Sequence, residues 1–410
     1  MEIHTYSEED FGYLVAFKDG KIALYQPEAG ALCAQGATSE ALEPFKLQQL
    51  RVTDDFHLRS PLIVWLELTR ACNLRCRHCF TSGGSDPSAM TTSQVLRTLD
   101  QLKRKGVFCV VFSGGEPLLR RDLFELLDYA QEQGFVIALV TNGLLLTEAV
   151  MERLPRSSFR LTISLDNLHF GGSKSGDPAE RLSLLQRRLL ALKERGIPCN
   201  VSSTMTSENL DELEEIFKWL SLQGIPFRTI PFTPIGRGAT CPELQLKPAH
   251  VRPAAELWNM ELRNENQLRT EQGLTFSRLF DFALTLVYIG QACKGGRYIA
   301  YVGASGDVFP CTTCVGAGAF RAGNITETPF EEIWEESLKG FRRLTSWQNF
   351  DACKSCALSK PEYFCTNRCP PLALLYRGSA VACGATAYDR GSLVYRTKLI
   401  AKEQLEGHRS

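Results

Sequence analysis

The sequence predicts an α/β fold: an open, partial (β/α)6 barrel of the TIM type. A small β-rich segment precedes it and a cysteine-rich part follows. Three observations predict this. Six short apolar runs alternate with amphipathic helical patterns between residues 60 and 275. Gly106, Gly134, Gly196 and Gly224 each stand between a helical pattern and the next apolar run, where a helix end takes glycine. The polar and glycine motifs fall directly after the apolar runs. Those are the carboxyl ends of the expected strands, where parallel α/β sheets carry their chemistry.

The elements follow in order. "LIVWLELT" (62–69) is a buried strand, followed by a helical pattern over 93–105. "VFCVVFSGG" (107–115) is the second strand, with a helix over 121–133. "FVIALVTNG" (135–143) is the third, with a helix over 147–154. The fourth is "FRLTISLD" (159–166) and its helix spans 179–195. The fifth is "PCNVSSTM" (198–205), followed by 209–223. "PFRTIPF" (226–232) is the sixth, before a helix near 248–272. Six units leave the barrel open rather than closed as eight would. Upstream, "FGYLVAFKDGKIALYQ" (11–26) holds two strand-like runs around Asp19-Gly20, a hairpin signal. The expected boundaries are 1–59, 60–275 and 276–410.

Composition narrows the function. The chain has 46 Lys and Arg against 46 Asp and Glu, so nothing in its charge favours nucleic acid. No apolar stretch approaches the ~20 residues of a membrane span, and "MEIHTYSEED" lacks the order of a secretory signal. The expectation is a cytoplasmic protein that binds neither nucleic acid nor membrane. The 15 cysteines then need explaining, and in a reducing compartment clustered cysteines are more often metal ligands than bridges. Cys33, Cys109, Cys199 and Cys241 stand alone; Cys109 and Cys199 lie in strand-like runs, where a small buried side chain accounts for them.

"ELTRACNLRCRHCFTSGG" (67–84) places Cys72, Cys76 and Cys79 in the loop after the first strand. A structural zinc site wants four ligands, and His78 is adjacent to Cys79, so the two side chains do not readily converge on one ion. A 4Fe–4S cluster held by three thiolates leaves one iron free to bind something else. Glycine at 114 and 115 lets backbone approach a ligand closely. Glu67 and Arg70 flank the loop, where they either tune the site or finish the strand.

Cys72-x3-Cys76-x2-Cys79 after a first strand, with Gly114-Gly115-Glu116-Pro117 after a second, resembles the radical S-adenosylmethionine (SAM) superfamily over roughly residues 60–240. The resemblance implies a cluster whose unique iron is chelated by SAM. It also implies one-electron cleavage of SAM to a 5′-deoxyadenosyl radical, hydrogen-atom abstraction from a substrate, and an electron donor such as flavodoxin or ferredoxin. It implies that backbone at Gly114, Gly115 and Pro117 binds the SAM amino group with Glu116 as helper. His78 takes the position where the family packs a ring near adenine. Ser164 and Asp166 become candidate ribose contacts, and Arg237 a partner of the SAM carboxylate. His169 and Asp177 in "NLHFGGSKSGDP" (167–178) face either substrate or solvent.

The carboxyl third resembles the family's SPASM extension, which carries two auxiliary 4Fe–4S clusters and so makes three in all. The family pattern gives Cys293, Cys311 and Cys369 to the first auxiliary cluster. It gives Cys353, Cys356, Cys365 and Cys383 to the second. Cys314 either completes the first cluster or leaves it an open iron. The eight residues between Cys356 and Cys365 are a longer gap than the family's usual one. A zinc ribbon of Cys311/Cys314 with Cys353/Cys356 stays open as an alternative.

Some maturases of this kind begin with a winged domain that recognises a leader peptide, and residues 1–59 would hold a reduced version, a lid or recognition arm. The expected function is modification, by crosslinking or oxidation, of a ribosomally made precursor peptide. The alternatives are a small-molecule enzyme of tetrapyrrole (haem) biosynthesis and, from another class, a non-catalytic iron–sulfur or zinc scaffold. No residue stands out as a catalytic acid or base.

Overall fold

The computed structural model describes residues 1–18, 21–47, 56–85, 88–166, 178–268, 282, 293–315, 318–346, 349–359 and 369–392. Asp19, Gly20, His169, Asp177 and Cys365 lie outside the described residues.

The six expected strands form, each within a few residues of its apolar run. They are β4 (Ile63–Thr69), β5 (Cys109–Gly114), β6 (Val136–Thr141), β7 (Phe159–Ser164), β8 (Cys199–Met205) and β9 (Phe227–Pro231). They pair in parallel in sequence order. Between them run α3 (Thr92–Lys105), α4 (Leu123–Glu132), α5 (Glu148–Arg153), α6 (Pro178–Glu194) and α7 (Leu210–Leu222), and α8 (Val251–Leu268) follows β9. Thr91 and Gln94 make a reciprocal capping box that starts α3, and Gly106 ends it at φ 89°, a left-handed conformation that glycine adopts without strain. Alternate strand residues divide the core. Val64, Leu66 and Leu68 pack toward the helices, while Ile63 and Trp65 belong to a second cluster on the other side of the sheet.

The C-terminal part does not stand apart from this sheet. β10 (Ile299–Val302) pairs in parallel with β4, then β11 (Asp307–Phe309) and β12 (Gly323–Asn324) continue antiparallel, giving nine strands. The first strand of an open barrel presents an edge of unpaired peptide groups, and "IAYV" covers it.

The N-terminal hairpin forms as β2 (Gly12–Phe17) and β3 (Ile22–Tyr25). It is joined by β1 (Ile3–Glu9), whose polar "IHTYSEE" gave no strand signal. Leu14 and Ala16 pack with Leu58, Leu62, Phe108, Val136 and Tyr298. This sheet therefore covers the amino ends of the barrel strands, opposite the end where a lid over the rim would sit.

Candidate active site

The rim at the strand carboxyl ends is organised around the three-cysteine loop. That loop starts at Thr69, and every strand-end loop reaches it. From the end of β5, Gly115 N donates to Thr69 O at 2.6 Å and Glu116 N to Ala71 O at 2.8 Å. A Cβ at Gly114 would stand 2.3 Å from Thr69 O, and one at Gly115 2.3 Å from Ala71 O. Both glycines are thus demanded by backbone packed on backbone, with Gly114 at φ 151°. From the loop after β6, Asn142 Nδ2 donates to Asn73 Oδ1 at 2.8 Å.

From the end of β7, Asp166 Oδ2 pairs with His78 Nε2 at 2.8 Å, and its Oδ1 accepts from Thr204 N of β8 at 2.5 Å. Burial alone would raise the Asp166 carboxyl, but His78 and the Thr204 N–H outweigh it and hold it below the usual range. Burial likewise opposes charge on His78, and Asp166 overcomes that, so the imidazole is shifted up. After β9, Arg237 N donates to Cys79 O at 2.9 Å. The Arg237 guanidinium donates to Cys76 O at 2.9 Å and to Gly83 O. Gly236 adopts φ 59°, and a Cβ there would meet Phe80 O at 2.1 Å.

Two side chains that the resemblance assigns to SAM make bonds within the protein. Glu116 is wholly buried: one oxygen accepts from Leu118 N at 3.0 Å and Thr141 Oγ1 at 2.7 Å, the other from Asn142 N at 2.8 Å. Its carboxylate ties β5 to β6 and has both oxygens taken by the chain's own donors. Arg237 spends its guanidinium on the carbonyls of the cysteine loop. Ser164, half-buried, ends β7 opposite Ser202, and Pro117 opens a short 3-10 turn behind Glu116.

The thiols suit metal ligation. Cys72, Cys76 and Cys79 are all free of disulfides. Burial, then the Asp166 carboxylate and the other two thiols, push Cys76 up to about 12, and burial also raises Cys72. Such thiols release their protons to a strongly positive centre rather than acting as free nucleophiles.

Four of the described C-terminal thiols lie near one another. Cys311 and Cys314 are buried with Sγ atoms 3.7 Å apart. The hydrogen bond from Cys314 lowers Cys311 to about 6 and leaves Cys314 itself shifted up, with burial as the larger cause. Cys293 and Cys369 lie close enough to interact electrostatically with them, and Lys294 stands among these thiols. The structure therefore gathers Cys293, Cys311, Cys314 and Cys369. Cys353 and Cys356 share one helical turn, and Cys383 receives Arg390 at 3.8 Å. Among the described residues no three or more His, Cys, Asp or Glu side chains are arranged to hold a single metal ion.

Comparison with known proteins agrees with this geometry. The radical SAM superfamily model matches residues 66–220, and an iron–sulfur cluster-binding domain model, SPASM, matches 293–357. The mycofactocin maturase MftC of Mycolicibacterium smegmatis is 31% identical over 317 residues, 75% of this chain and 78% of that protein. The chain belongs to the radical SAM superfamily. The AdoMet-dependent heme synthase of Methanosarcina barkeri is 30% identical, over 69% of this chain and 84% of its own. In fold, the radical SAM chain resembles Streptococcus suis SuiB bound to precursor peptide SuiA, with TM-score 0.68 and 18% identity over 93% and 97% of the two chains. It also resembles anSMEcpe with bound AdoMet, with TM-score 0.63 and 20% identity over 85% and 94%. This is an enzyme that uses SAM and iron–sulfur clusters. No helix among its described residues is long and apolar enough to cross a membrane.

Sequence reasoning singled out the loops that meet at the rim but missed several of their fastenings. Asn73, Asn142 and Thr204 carry no motif of their own. Asn142 lies in the "TNG" that ends the third strand-like run, 135–143, the one signal that pointed to it.

Proposed function

We propose that this radical SAM enzyme matures a ribosomally made peptide by crosslinking or oxidising one of its residues. One observation carries the reading: the loops after β5, β6, β7 and β9 all bond to the Cys72–Cys79 loop, in a chain 31% identical to mycofactocin maturases. Cys72, Cys76 and Cys79 hold the SAM-binding 4Fe–4S cluster. Cys293, Cys311, Cys314 and Cys369 hold a first auxiliary cluster, and Cys353, Cys356, Cys365 and Cys383 a second. When bound, SAM and its cluster supply the 5′-deoxyadenosyl radical that abstracts hydrogen from the substrate. The Gly114–Pro117 backbone, Ser164 and the His78–Asp166 pair line the SAM site; Glu116 and Arg237 fix its walls. Residues 1–59, 60–275 and 276–410 are its three parts, and flavodoxin or ferredoxin delivers the electron.

Iron analysis after anaerobic reconstitution tests the assignment. Three clusters give about twelve irons per chain, and about four with bound zinc would sink it. Replacing Cys72, Cys76 and Cys79 together by Ala should abolish 5′-deoxyadenosine formation with auxiliary-cluster signals retained. The 30% identity to a heme synthase supports a second reading, a tetrapyrrole substrate. A mass change in a precursor peptide decides for the first, and turnover of a porphyrin precursor for the second.

A further inference from the structure

Glu67 is the penultimate inward-facing residue of β4 and is completely buried. Its Oε2 accepts from Ala304 N at 3.1 Å and stands 3.5 Å from Arg70 Nε. Ala304 lies just beyond β10, on the segment that leads through β11 to Cys311. The carbonyl of the same Ala304 accepts from Met90 N at 2.8 Å. Residue 67 precedes the three-cysteine loop and residue 90 follows it, so one residue of the auxiliary segment, through its N–H and its carbonyl, holds both roots of that loop.

The neighbours tighten this node. Tyr301 of β10 is fully buried, near enough to Glu67 to affect its charge, and its ring meets Phe80 edge-on at 6.4 Å. Phe80 directly follows Cys79. Ser113, opposite Glu67 in the ladder, precedes Gly114 and Gly115. The cysteine loop, the glycine turn and the auxiliary segment thus converge on one side chain. A buried carboxylate costs several kcal/mol unless its bonds repay it, so a merely space-filling residue at 67 would be apolar.

We propose that Glu67 is a positioning residue for SAM binding: it fastens the roots of the Cys72–Cys79 loop to Ala304, so the geometry of the radical site depends on the docked auxiliary-cluster segment. Glu67 touches neither SAM nor iron in this scheme. It acts through the loop, and it rests on the proposed ligation by Cys72, Cys76 and Cys79.

The test uses full-length, anaerobically reconstituted Glu67→Ala and Glu67→Gln. SAM affinity is measured by equilibrium dialysis, and the SAM-induced change in the reduced cluster's EPR spectrum is recorded beside the auxiliary signals in the same sample. Glu67→Ala should bind SAM at least tenfold more weakly and lose most of the spectral change, with auxiliary signals intact. Glu67→Gln keeps the acceptor for Ala304 N but loses the charge facing Arg70, and should fall between, about threefold or more weakened. General loosening would erode the auxiliary signals as well. SAM affinity and spectral change equal to wild type in Glu67→Ala overturn the proposal. If that variant does not fold, equality in Glu67→Gln overturns it. A wild-type protein with no SAM-induced change would instead refute the cluster assignment.

Discussion

Replacing Glu116 separates a structural carboxylate from a ligand-binding one. Its two oxygens accept from two backbone N–H groups and the Thr141 hydroxyl, at 2.7–3.0 Å, with no exposure to solvent. Bonds to a charged acceptor contribute about 1.5–3 kcal/mol each, about 5–9 kcal/mol for three. Taking the carboxylate out of water costs several kcal/mol in the other direction. Glu116→Ala also strands three buried donors, so the net loss should be about 3 kcal/mol or more. Glu116→Gln keeps the shape but turns an amide N–H₂ toward a donor, and should lose about 1–2 kcal/mol. The assay is anaerobic urea unfolding followed by tryptophan fluorescence, with SAM affinity measured in parallel. The expected pattern is a stability loss graded Ala over Gln, with SAM binding by the folded Gln variant close to wild type. A Gln variant of unchanged stability that no longer binds SAM would refute the reasoning and return Glu116 to the role of SAM ligand.

Arg237→Ala removes donors from Cys76 O and Gly83 O, and should cut iron at the radical site, read by EPR, while auxiliary iron stays. Gly115→Ala drives a methyl group into Ala71 O, backbone against backbone, and should leave protein with auxiliary signals but no SAM-responsive cluster. Glu9, 4% exposed, accepts from Arg59 N and Ser7 Oγ, yet burial raises it to about 7. A carboxyl with a raised folded pKa binds its proton more tightly when folded. Its sheet is therefore most stable below the unfolded value of 4.5 and loses stability as pH rises through about 7. The shift corresponds to about 3 kcal/mol at most; Glu9→Gln should flatten the fall in stability from the unfolded value of 4.5 up to about 7, and an unchanged slope would refute this.

The barrel was legible because β4, β5 and β6 are largely apolar on both faces, the later strands keep one apolar face, and the helices between them are periodic, so local pattern and tertiary burial agree. Residues 62–69 against β4 and 93–105 against α3 differ by a residue or so at one end. β1 was not legible, since "IHTYSEE" buries little and owes its strand to pairing with β2. The joining of β10 to β4 was hidden for another reason: a parallel pairing between residues 63 and 299 leaves no local trace. At the rim, spacing pointed to the loops but not to what each side chain grips. Glu116 and Arg237 are polar residues at the right strand ends. Only the fold reveals that their partners are other parts of the protein.

The hold of Arg237 on Cys76, across 161 positions of sequence, also sets an order of birth. During translation, at about 5–20 residues per second, the three thiols emerge roughly ten to thirty seconds before the arginine that shapes their loop. A nascent chain therefore displays the thiols without the form that suits a cluster. The loop acquires that form only once the last barrel strand has been made, so on the proposed ligation by these thiols cofactor loading follows synthesis of the barrel.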